Sequence, residues 1–208
     1  MNSIDDLDFS KSYTYADYYS WRFEERLELI KGKIFRMSPA QGGNHQKISF
    51  NISGELYNFL KDKTCEAFTA PFDVRLVRDE KSDKKVKTVV QPDVCVICDL
   101  TKIADPRSCL GAPDIIVEIL SPGNNKKELK IKYDLYEEFG VKEYWVVYPV
   151  EQSIIRYILN SEGKFVTQGG ALTSGDKITT PVLPGFELAL DDVFRKLPLA
   201  PDHDKNNI

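Results

Sequence analysis

The stretch from Pro113 to Tyr148, PDIIVEILSPGNNKKELKIKYDLYEEFGVKEYWVVY, constrains the fold of this chain more than any other. Ile115, Ile116, Val117, Ile119 and Leu120 form a near-continuous β-prone run, which predicts a strand covered on both faces. Glu118 interrupts it. Ser121-Pro122-Gly123 closes the strand, and Asn124 or Asn125 can cap a helix that ends before Gly140. A second buried strand, YWVVY, follows.

On a helical wheel at about 100° per residue, Leu129, Ile131, Tyr133, Leu135, Tyr136 and Phe139 share one apolar arc. Lys132 falls near the middle of that arc, with Glu128 also inside it, while Lys127, Lys130, Asp134, Glu137 and Glu138 form a solvated face. An ammonium aimed at a sheet loses its hydration unless an anion meets it there. Glu118 is the obvious partner. The pair reads either as a structural ion pair under a helix or as part of a catalytic set.

With 208 residues, 42% of them hydrophobic, the chain can bury a full core, and residues 12–197 are expected to form a single domain. Residues 1–11 read as a flexible acidic tail, and 198–208 as a disordered one in which His203 has no role. The net charge of −4 gives no global attraction to nucleic acid, so phosphate binding would need a local patch. No apolar run approaches the roughly 18 residues of a membrane span, and the start, MNSIDDLDFSKSY, lacks the features of a signal peptide. A cytoplasmic protein with no membrane partner is expected. Cys95 and Cys98 have CxxC spacing, but in a strand they point to opposite faces, and no second pair or nearby His completes a zinc set. All four cysteines are expected as reduced, buried thiols.

Thr14 and Asp17 make a capping box for a short helix, and RLELIKGKIFRMS reads as a hairpin turning at Lys31-Gly32. Glu28 lies on the opposite face from Leu27 and Leu29, as an exposed strand carboxylate or a site residue. A helix from His45 to about Lys61 buries Ile48, Ile52, Leu56 and Phe59. His45 shares that stripe in the first turn, as a packed histidine or one that touches substrate.

Ala67 to Val77 reads as one strand, RDEKSDKKVK as a solvated loop, Thr88 to Cys98 as a second strand carrying Asp93, and Asp99 to Gly111 as a loop. If that loop is centred near Asp105 and Pro106, antiparallel pairing sets Asp93 opposite Glu118 with Cβ atoms about 5 Å apart, a spacing that suits a shared divalent cation. Asp114 repeats the Pro-Asp dipeptide, but four residues along a strand is about 13 Å, too far from Glu118 to share an ion. It reads as a strand-entry residue. Farther on, IIRYIL with the run Lys164 to Gln168 suggests a hairpin, and LPGFELALDDVF a strand and short helix.

Asp93, Glu118 and Lys132, with QPDVCVI, PDIIVEILSP, the lysine-bearing helix and GVKEYWVVY, form a pattern that resembles the Uma-type family of restriction endonucleases, a branch of the PD-(D/E)xK nuclease superfamily. The likeness spans most of the chain, from YTYADYYSW to LPGFELALDDVF. It implies an α/β restriction-endonuclease-like fold: a mixed central sheet flanked by helices, with an N-terminal helix-hairpin and C-terminal hairpin additions. In such nucleases the lysine usually stands two residues after the acid, here Leu120; the family resembled moves it to the next helix, here Lys132. Tyr148 stands where many relatives have Asp.

The implied activity is metal-dependent hydrolysis of DNA phosphodiesters by a homodimer. Asp93, Glu118 and the main-chain carbonyl of Ile119 are expected to hold Mg²⁺, with Mn²⁺ as substitute and Zn²⁺ disfavoured by the all-oxygen set. Lys132 is expected to orient the attacking water, Glu28 to add a ligand, and His45 to contact the phosphate or assist proton transfer. The alternative is a catalytically silent nuclease scaffold acting as a nucleic-acid-binding or regulatory module. No stretch reads as a helix-turn-helix, so sequence preference would reside in loops such as Ser38 to Asn44.

Overall fold

The structure, a computed structural model, describes residues 3–197 apart from 23, 38–41, 79–81, 104 and 122–125. The chain opens with α1 (Tyr15–Ser20), started by the Thr14–Asp17 capping box, and with a hairpin of β1 (Leu27–Ile30) and β2 (Lys33–Arg36). Lys31 and Gly32 both take positive φ, as a two-residue hairpin turn requires. Next come α2 (Gly43–Leu60), β3 (Glu66–Thr69), β4 (Asp73–Arg75), β5 (Val89–Val90), β6 (Val94–Ile97), β7 (Ser108–Leu110) and β8 (Ile115–Ile119). The remainder is α3 (Lys126–Phe139), β9 (Glu143–Tyr148), β10 (Ser153–Leu159), β11 (Phe165–Thr167), β12 (Lys177–Thr179), β13 (Glu187–Ala189) and α4 (Leu190–Val193).

The central sheet is mixed, with strand order β11-β10-β9-β8-β6-β3 and one parallel pair, β8 with β9, joined by α3. α2 covers one face: Ile48, Ile52 and Leu56 pack with Val94, Val117 and Trp145. α3 covers the other: Leu135 and Tyr136 pack with Ile116, Tyr144 and Val146. A second sheet, β2-β1-β5-β4-β7, joins that same side through Ile30, Val74 and Val90. β12 and β13 form a separate pair.

Three expectations are corrected here. Residues 67–77 and 88–98 are not single strands: each divides between the two sheets, as β3 then β4 and as β5 then β6. The breaks fall at Pro71 and Pro92, each of which lacks the N–H that a continuous ladder needs. The stretch from Asp99 to Gly111 is not all loop, because β7 pairs parallel with β4. The cysteines are not all reduced: Cys65 and Cys98 form a disulfide, since the ladder that pairs Glu66 with Ile97 brings them face to face at its next step. Cys95 and Cys109 are free and buried, and burial pushes both thiols up.

The segment up to Lys11, expected as a tail, carries a 3-10 turn at Ile4–Asp6 and buries Ile4 and Leu7 against Tyr13, Tyr15 and Leu29. Those two side chains tie it to the second sheet's cluster. The stretch 78–87, read as solvated, buries Val86, which also accepts the Tyr15 N–H at 2.8 Å. The 198–208 tail, with His203, and the proposed caps Asn124 and Asn125 lie outside the described residues. Among the described residues, no helix is long and apolar enough to cross a membrane.

Candidate active site

The observed register pairs Val94 with Val117 and Cys95 with Ile116, so one further step sets Asp93 across from Glu118. Both are buried, and both line one pocket at the seam of the two sheets, with Glu28, His45 and Lys132. β8 aims Glu118 at the α3 side, where Lys132 Nζ donates to its Oε1 at 2.8 Å. The same ammonium reaches Glu28 Oε1 at 3.0 Å. α3 therefore delivers its off-pattern lysine to two carboxylates, one from each sheet.

Of the two readings of Glu28, exposed strand carboxylate or site residue, the structure rules out the first, because the side chain is buried. β1 is flanked by β2 and β5 and buried along its whole length, and Glu28 Oε1 also accepts the Gln91 N–H at 3.0 Å. Asp93 Oδ2 accepts the main-chain N–H of Ile119 at 2.8 Å and stands 3.2 Å from His45 Nε2. His45 is buried in the first turn of α2, and its Nδ1 meets no partner. Asp114 is at the opposite end of β8, where it accepts the Cys98 N–H at 2.7 Å and pairs with Lys142 at 2.7 Å.

Burial raises the Glu118 pKa; Lys132 opposes that rise, but Asp93 and Glu28 add to it. For Lys132, burial favours the neutral amine, yet the two carboxylates outweigh it and hold the group as an ammonium well above the usual range. Lys132 thus serves two buried carboxylates, and the pocket lining sets Glu28, Asp93, Glu118 and Glu128 against Lys132 and Arg36. The pocket is short of positive charge, which makes it receptive to a cation.

The donor chemistry fits a hard divalent ion. Asp93 and Glu118 offer carboxylate oxygens across one ladder step, the ligand type that Mg²⁺ and Mn²⁺ take. Among the described residues, no cluster of three or more His, Cys, Asp or Glu is arranged around a single ion position, so main-chain oxygen and water would complete the shell.

Two contacts to the pocket carboxylates escaped sequence reasoning. The Tyr136 hydroxyl, fully buried, donates to Glu118 Oε1 at 2.6 Å. Its signal was present, because a tyrosine in the middle of an apolar arc needs a hydroxyl partner, and Tyr136 follows Lys132 by one helical turn. Gln91 holds Glu28 through its backbone, which no side-chain pattern reveals.

The fold is similar to the crystal structure described as a "putative nuclease belonging to DUF820" from Anabaena variabilis, with a TM-score of 0.66, 19% identity, and coverage of 88% of this chain and 97% of that one. No curated protein matches. A family model described as "Uma2: Putative restriction endonuclease" matches residues 15–191, and the chain belongs to that family.

Proposed function

We propose that this protein is a Mg²⁺-dependent DNA endonuclease, acting in the cytoplasm as a homodimer whose two symmetric sites can cut both strands. The observation that carries the reading is the meeting of Asp93, Glu118 and Lys132 in one pocket, drawn from two facing strands and the covering helix. Asp93 and Glu118, with the main-chain carbonyl of Ile119, would hold Mg²⁺, or Mn²⁺ in its place. Such an ion supplies a Lewis acid at the phosphate and acidifies the water it binds.

The side chains do the rest. Lys132 places an ammonium where negative charge develops, and Glu28 keeps it there through the 3.0 Å contact. The Ile119 N–H fixes one oxygen of Asp93, and the His45 ring steadies the same oxygen from the α2 side. Tyr136 orients Glu118.

One observation favours the silent-scaffold alternative: Lys132 is already paired with two carboxylates and must loosen its hold to serve a phosphate. Supercoiled plasmid incubated with Mg²⁺ or Mn²⁺ separates the two readings. Wild type should nick it, while Glu118→Gln and Lys132→Ala should not. A wild-type chain that leaves plasmid intact while Mg²⁺ still raises its melting temperature would establish the scaffold reading.

A further inference from the structure

We propose that the first turn of α2 is an oxyanion seat, which takes a backbone phosphate of the nucleic-acid strand; the choice of strand as occupant rests on the nuclease reading above. α2 is 18 residues long, its N-cap is Gly42, and it has neither a side-chain cap nor an acidic residue in its first turn. Gln46 is the first residue whose N–H bonds back, to Gly42 O at 3.2 Å. The N–H groups of Gly43, Asn44 and His45 therefore meet no acceptor among the described residues. A long helix concentrates about half a positive charge at such an end. A Cβ built on Gly42 or Gly43 would meet nothing within 4 Å, so a side chain can be added at either position without displacing a neighbour.

The second observation is independent of the backbone. His45 is 5% exposed and lines the pocket; its Nε2 is spoken for by Asp93, but its Nδ1 is buried with no partner. Helical side chains lean toward the N-terminus, so the His45 ring is directed toward the same end of α2 as the unpaired N–H groups. Asn44 Oδ1, in the same turn, is also buried and unpaired, and the two ends of an amide are interchangeable in assignment. Buried polar groups are rarely left in this state. A phosphate held here would sit next to Asp93, and the helix end would offset the repulsion that Glu28, Asp93 and Glu118 exert on it.

Two substitutions test the seat with opposite demands on stability and binding. Gly42→Asp adds a capping carboxylate, which should raise the melting temperature by about 1 °C while filling the seat with negative charge. Gly43→Pro deletes one N–H at the helix position that best tolerates proline, after a residue already at ψ 161°. Binding of a fluorescein-labelled duplex, in Ca²⁺ to prevent turnover, and of inorganic sulfate should weaken about tenfold for Gly42→Asp and less for Gly43→Pro.

Wild-type affinity in Gly42→Asp, or a wild-type chain that binds neither probe, would overturn the seat. The nuclease reading fails separately: intact plasmid with wild type, alongside lost duplex binding in Gly42→Asp, would keep the seat and remove the enzyme. Unchanged duplex binding in both variants of a chain that does nick plasmid would do the reverse.

Discussion

The Tyr136 hydroxyl donates to Glu118 Oε1 across 2.6 Å, sharing that oxygen with the Lys132 ammonium at 2.8 Å. Lys132 and Tyr136 are one turn apart on α3, so a single helix face both charges and orients the carboxylate. Tyr136→Phe removes the donor but keeps the ring packed on Tyr144, whose centroid is 5.0 Å away. A hydrogen bond to a charged group is worth about 1.5–3 kcal/mol, and denaturant unfolding should show a loss of that order. If Glu118 holds Mg²⁺, the Mg²⁺ needed for half-maximal nicking should rise about 10- to 100-fold. A variant with unchanged stability and Mg²⁺ demand would mean that Lys132 alone sets Glu118.

The two Pro-Asp dipeptides do different work at opposite ends of β8. Asp114→Asn should cost about 1 kcal/mol, through the weakened bond from Cys98 N–H and the lost pair between the buried Asp114 and the exposed Lys142 ammonium. Mg²⁺ binding measured by calorimetry should barely change in this variant, whereas Asp93→Asn should lose it. Loss of binding in Asp114→Asn would exchange the roles of the two aspartates.

Glu143 is fully buried, accepting from Trp145 Nε1 at 2.9 Å and Thr180 Oγ1 at 2.5 Å. Burial raises its pKa despite those two donors. The folded state therefore keeps this proton to a higher pH than the unfolded chain, whose glutamates titrate near 4.3. The sign follows: stability is fully present below the unfolded value and falls as pH rises toward the folded one. Glu143→Gln removes that slope. Urea midpoints measured from pH 4 to 8 should show the wild-type-minus-variant difference shifting against wild type as pH rises, and parallel curves would contradict the raised pKa.

Local periodicity sufficed where an element's partners are close in sequence. The strand-helix-strand unit from Ile115 to Tyr148, and Lys132 aimed at Glu118, both follow from counting along one stretch. Centring the loop on Asp105 and Pro106 also leads to the observed register of β6 and β8. What was hidden depended on distant chain. The choice between the exposed and the site reading of Glu28 depended on β5 pairing beside β1, and the Cys65–Cys98 bond required the register of β3 on β6. The breaks at Pro71 and Pro92 were masked because the flanking residues are β-prone on both sides, and propensity alone does not say which sheet a strand joins.

β1 belongs to the second sheet and β8 to the central one, so Glu28 comes from one half of the fold and Glu118 from the other. A nascent chain that has formed only the larger sheet has Asp93 and Glu118 but no second anchor for the lysine. The Lys132–Glu118 contact needs only the larger sheet and α3, whereas the Lys132–Glu28 contact exists only once the second sheet has docked beside them.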